Sequence, residues 1–171
     1  MGGGDGEDDP GVHALAVDSS GNVYVGGGFT TAGDVPAENV AKWDSTAWSA
    51  LGTGIGGTTK WPRVSAVAAG GSGSVYAGGN FTTAGGVEVN YIAKWDGVTW
   101  SALGTGMDDD VWALTVDSLG DVYAGGYFTT AGGVAANYIA KWDGTAWSTV
   151  GTGTDSGVRA LALAQLPQLF L

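Results

Sequence analysis

Apolar residues crowd the stretch Val12–Val17 (VHALAV), which is interrupted by a single polar side chain. The same near-continuous run returns at Val64–Ala69 (VSAVAA) and Val111–Val116 (VWALTV). Runs this short, closed by turns such as DSSGN and DSLGD, predict strands buried on both faces. A second strand follows each turn, VYVGG or VYAGG, whose paired glycines predict a bulge or a close backbone approach. A longer loop built on FTTAGG leads to a third strand, NVAKWD or YIAKWD. A short turn then gives a fourth, AWSALG, TWSALG or AWSTVG. No segment carries helical periodicity, and alternating short strands with turn signals predict an all-β protein.

The valines that open these runs set the period. Val64, Val111 and Val158 are 47 residues apart (111 − 64 and 158 − 111), and Val12 stands 52 before Val64 (64 − 12). The five extra residues fall in IGGTTKWPR, between Gly54 and Val64. Four-stranded propeller blades repeat at about 40 to 50 residues. The expected fold is therefore all-β and β-propeller-like, with three complete four-stranded blades plus a partial fourth. The predicted divisions are a flexible acidic, Gly-rich tail at 1–11, blades at 12–63, 64–110 and 111–157, and an apolar strand or hairpin of a fourth blade at 158–171.

The tryptophans fit this reading. Trp43 and Trp48, Trp95 and Trp100, and Trp142 and Trp147 each stand five apart across a turn such as DGTA. A four-residue hairpin loop sets the two rings opposite each other, where they pack as a structural pair. Stacking on sugars is the functional alternative.

Composition narrows the function. Asp and Glu number 17 against 6 Lys and Arg, a formal charge of −11 over 171 residues. That balance argues against a nucleic-acid partner and against an anionic membrane surface. No apolar run reaches the roughly 18 residues of a membrane-spanning helix. With no cysteine, disulfides and thiolate metal sites are excluded. The opening MGGGDGEDDP lacks a basic region followed by an apolar one and reads as a solvated tail rather than a signal peptide. Its Asp5, Glu7, Asp8 and Asp9 do not have calcium-loop spacing.

Candidate chemistry is sparse. His13 is the only histidine; the matching places hold Ser65, Trp112 and Arg159, and no metal or dyad partner is evident. Asp44, Asp96 and Asp143 recur after tryptophan and could pass for glycosidase carboxylates, but each opens a turn, where Asp is favoured. Lys42, Lys94 and Lys141 are expected to lay their stems on aromatic surface. Asp108, Asp109 and Asp110 read as a solvated acidic loop. No glycine run joins a strand to a helix, so no phosphate-cradling loop is expected. Asn80-Phe81-Thr82 matches the N-glycosylation sequon. No catalytic residue, cofactor or metal is expected. The places that vary most between units give a candidate ligand face of Lys60, Trp61, Arg63, Asn80 and Tyr127.

The pattern VY-GG-FTTAGG…IAKWDG-WS-LGTG resembles the kelch-like β-propeller repeats of extracellular and cell-surface proteins, over residues 12 to 164. The resemblance implies a first strand nearest a central axis, a fourth strand outermost, and an extracellular or cell-surface location. It transfers no catalytic residue.

The expected function is a non-enzymatic structural repeat protein. Its expected partner is itself, as a closed oligomer or a filament formed by strand or blade complementation. Val158, Leu161, Leu163, Leu166, Leu169, Phe170 and Leu171 are the expected assembly residues, because three blades and part of a fourth leave an unpaired strand edge. The alternative is a module binding glycans or a cell-surface protein; a hydrolase is the remote third class.

Overall fold

The computed structural model describes residues 11–163, which fold as an all-β chain of small antiparallel sheets with one short 3₁₀ turn at Gly71–Gly73. The first sheet orders β1 (Gly11–Val17), β2 (Val23–Gly28), β5 (Val40–Trp43) and β6 (Trp48–Ala50) as a meander. Between β2 and β5 lies a miniature hairpin of β3 (Thr31–Ala32) and β4 (Val35–Pro36). After β7 (Ile55–Gly56), the second sheet repeats the plan with β8 (Val64–Ala69), β9 (Val75–Gly79), β12 (Ile92–Trp95) and β13 (Trp100–Ala102). Its hairpin is β10 (Thr83–Ala84) and β11 (Val87–Glu88). The third has β14 (Val111–Val116), β15 (Val122–Gly126), β18 (Ile139–Trp142) and β19 (Trp147–Thr149), with hairpin β16 (Thr130–Ala131) and β17 (Val134–Ala135).

The FTTAGG segments are therefore more than loops. Each turns through a two-residue ladder whose alanine (Ala32, Ala84 or Ala131) is buried. The sequence boundaries also shift locally. Gly11, assigned to the tail, pairs with Gly28 in the first ladder. Ile55–Gly56, assigned to the first unit, pairs with Ala84 and Thr83 of the second unit's hairpin.

The glycine pairs have two separate duties. Each first strand bulges opposite them, between Val12 and Ala14, Val64 and Ala66, and Val111 and Ala113. His13, Ser65 and Trp112 are the extra residues of these bulges, which is why the position accepts such different side chains. The second glycine of each pair faces first-strand backbone across the bulge. The first leaves room for the next unit's valine: a Cβ on Gly78 would stand 2.5 Å from Val111 Cγ1.

Of three cores among the described residues, one lies within the first unit around Val25 and Ala41, and the other two each span a sheet boundary. Tyr24, Val40 and Leu51 of the first unit pack with Val64, Val67 and Val75 of the second. Tyr76, Ile92 and Leu103 of the second pack with Val111, Val122 and Ala124 of the third. The first and second sheets thus each bury one face against the next, by the same set of positions.

Candidate functional site

The tryptophan pairs face each other across β5–β6, β12–β13 and β18–β19, with ring centroids 5.4–5.5 Å apart and planes tilted by 51–52°. The second ring of a pair also reaches the preceding unit. Trp100 Nε1 donates to the Leu51 carbonyl at 2.8 Å, and Trp147 Nε1 to the Leu103 carbonyl at 2.8 Å, both buried. Trp48 occupies the same place in the first sheet, is half-buried, and has no such acceptor among the described residues.

The turn aspartates are tied down by the backbone. Asp44 Oδ1 accepts the amides of Thr46 and Ala47 at 2.9 Å, and Asp143 Oδ1 those of Thr145 and Ala146 at 2.8 Å. Donation from the Thr46 hydroxyl and the two amides holds Asp44 at about 2, and the Ala146 and Thr145 amides hold Asp143 at about 2. Such acids stay ionised and already engaged, unlike a proton donor. The lysines reach tyrosine rather than tryptophan. Lys42, Lys94 and Lys141 lie 5.7–5.9 Å from the rings of Tyr24, Tyr76 and Tyr123, their cross-strand partners. Lys141 also pairs with Asp121 at 2.6 Å.

The acidic stretch 108–110 is not uniformly solvated. Asp108 accepts the Thr129 and Thr130 amides at 2.8 Å and the Thr129 hydroxyl at 2.7 Å, so it anchors the third unit's hairpin to the loop before β14. Asp110 is half-buried, and burial with the Asp109 charge raises its pKa. No three His, Asp or Glu side chains converge as a metal site among the described residues.

Four of the five candidate ligand-face residues come together. The Arg63 amide donates to Asn80 Oδ1 at 2.8 Å, and Lys60 lies 5.8 Å from the Trp61 ring centre. Trp61 is 44% exposed and borders a cleft of about 280 Å³ that also takes in Phe29, Thr30, Glu38 and Arg63. Tyr127 belongs to another group, 5.3 Å from Trp112 and 6.0 Å from Tyr138.

Of the expected assembly residues, Val158 is docked. Its amide donates to the Gly126 carbonyl at 3.0 Å, and its Cγ1 lies 2.6 Å from where a Gly125 Cβ would be. Leu161 is half-buried and Leu163 exposed, and no strand forms over residues 158–163. Leu166, Leu169, Phe170 and Leu171 lie outside the described residues.

One surface escapes the sequence reading altogether. Val12, Leu15 and Val17 of β1 stand open beside Val23, Val25, Trp43 and Trp48. Leu15 is 64% exposed, while its counterpart Val67 is 7% exposed under the first sheet. Val12 is 56% exposed, while Val64 and Val111 are fully buried. The repeat register carries the only available signal, since it marks Val12 and Leu15 as interface positions.

No known protein family and no curated protein matches the chain.

Proposed function

We propose that the three sheets are consecutive blades of a propeller-like, kelch-type array, and that the protein is a non-enzymatic scaffold that associates with copies of itself. One observation carries this reading: the open face of the first sheet has the residues that the second and third sheets bury against a predecessor. A side chain such as Leu15 contributes about 1.5–3 kcal/mol when fully buried. Contiguous exposed apolar surface of this kind marks an interaction site. The third sheet offers the matching opposite face, since Tyr123, Ile139 and Val150 repeat Tyr24, Val40 and Leu51. Head-to-tail contact of this kind is heterologous: it closes a ring if the rotation permits and otherwise extends a filament. The kelch-like resemblance supports a location outside the cell or at its surface.

The test is sedimentation across a concentration series, for the full chain and for Val150→Asp, on the receiving face of the third sheet. The full chain is expected to grow in mass with concentration and the variant to remain a folded monomer. A full chain that stays monomeric at high concentration would refute the reading.

A second reading, a glycan- or protein-binding module, is favoured by the exposed Trp61 ring beside Arg63 and Glu38. Apolar ring surface flanked by directional polar groups suits a sugar face. A glycan array would find it, with Trp61→Ala abolishing any signal.

A further inference from the structure

We infer that Val158–Leu163 of one copy takes the place of β1 in a second copy, so that two chains share one sheet. The inference rests on the self-association reading and specifies how the contact forms. Three observations lead to it.

The first is chemical identity. Residues 158–163 read VRALAL, and β1 from Val12 reads VHALAV. Four of six positions are identical, one exchanges valine for leucine, and the remaining one is the bulge position, which holds His13, Ser65 and Trp112 in the three units. The second is placement. Val64 sits on Gly26, Val111 on Gly78, and Val158 on Gly125 in the same way. The guanidinium of Arg159 lies 4.5 Å from the Trp112 ring centre, which fixes where the segment leaves the third sheet. The segment therefore starts as a first strand starts, yet pairs with no second strand among the described residues. The third is the accepting site. β2 of another copy holds the required partner strand, and its present companion β1 is the least buried first strand of the three.

The repeat register fixes the exchanged ladder. Ala160 would face Gly26, Leu161 Val25, Ala162 Tyr24 and Leu163 Val23, as Ala14, Leu15, Ala16 and Val17 do now. The incoming segment restores the packing of β1 nearly atom for atom, so the exchange itself is close to neutral. The gain is the boundary it creates. The first sheet of the second copy is carried onto the third sheet of the first, and Trp48 Nε1 meets the Val150 carbonyl as Trp100 meets Leu51. Recruitment of a strand from another chain uses main-chain hydrogen bonds for affinity and alternate side chains for register.

The chain has no cysteine, so a disulfide can report the pairing. Leu161→Cys protein is mixed with Val25→Cys protein under mild oxidation, and the covalent products are mapped. The expected majority product is a heterodimer joined through positions 161 and 25. A Leu15→Cys/Val25→Cys double variant serves as control: exchange lowers its bridging within one chain as protein concentration rises. If the protein associates by sedimentation but no 161–25 bridge forms and the control stays bridged, strand exchange is wrong and whole-sheet docking remains. If nothing associates, the self-association reading falls as well. Because Val25 is buried, the Leu163→Cys and Val23→Cys pair, at more accessible positions, repeats the test should Val25→Cys unfold the protein.

Discussion

The indole of Trp147 donates its hydrogen to the carbonyl of Leu103, 44 residues earlier, and the bond is buried between the third sheet and the second. The same bond joins Trp100 to Leu51. The tryptophan hairpin is thus a fastener between units as well as a pair within one.

Removing only the N–H isolates that role. Trp147→Phe leaves the Leu103 carbonyl short of a buried donor and is expected to cost about 1–3 kcal/mol. Trp48→Phe, with no acceptor among the described residues, is expected to leave the monomer's stability nearly unchanged. Urea denaturation followed by circular dichroism measures both. Equal losses at the two positions would show the bond to be irrelevant.

Truncation of the well-buried first ring is more severe. Trp95→Ala removes a largely buried indole and is expected to cost about 3–5 kcal/mol. Trp142→Ala, at a half-buried position, is expected to cost less. Thermal melts rank the two.

The glycine under each incoming valine can be tested by a single methyl group. Gly78→Ala drives a Cβ into Val111, which is locked in the core, and overpacking of this kind costs about 1–3 kcal/mol. Gly125→Ala meets Val158 in the same way, but Val158 leads a segment with no strand partner among the described residues. There the expected result is little change in melting temperature and faster tryptic cleavage after Arg159. Limited proteolysis with mass spectrometry reads the cleavage.

The turn aspartates set an acid response. Asp44 and Asp143 titrate at about 2 when folded, below the ordinary 3.8. A folded pKa below the unfolded one gives stability that is present above 3.8 and is lost as pH falls through about 2. The Asp44→Asn/Asp143→Asn double variant keeps a turn-compatible side chain and is expected to flatten the stability curve across that window. Urea midpoints at a series of acid pH values would show it; an unchanged slope would assign the acid response elsewhere.

Copies carrying −11 each repel one another. Raising ionic strength from about 0.01 to 0.15 M shortens the screening length from about 30 to 8 Å. Self-association through an apolar sheet face is therefore expected to strengthen with salt. Weakening instead would mean that the contact is held by charge pairs, and sedimentation at the two ionic strengths decides.

Much of this architecture is legible in the sequence because it recurs in register. The valine period, the tryptophan spacing and the Asp turns each state a local rule three times, and strand order within each sheet follows. Two features were not legible for physical reasons. The two-residue ladders within FTTAGG are too short to carry an alternating pattern, and they depend on partners such as Ile55–Gly56 from the previous unit. The open face of β1 is invisible because VHALAV and VSAVAA present the same chemistry. Burial belongs to what lies beside a strand, and Leu15 and Val67 differ only in that. The candidate ligand face was legible in part. The Asn80–Arg63 contact follows from adjacent loops, whereas Tyr127 is drawn away by Trp112, a residue of the bulge.

The bulge opposite each glycine pair sets one residue per unit outside the ladder, and those residues are His13, Ser65 and Trp112. An imidazole, a hydroxyl and an indole thus stand at equivalent points on a common frame, each outside the ladder pairs. The fold therefore keeps its rigid and its changeable parts at separate addresses. New surface chemistry can be written into the array, one unit at a time, without rewriting the packing that holds it together.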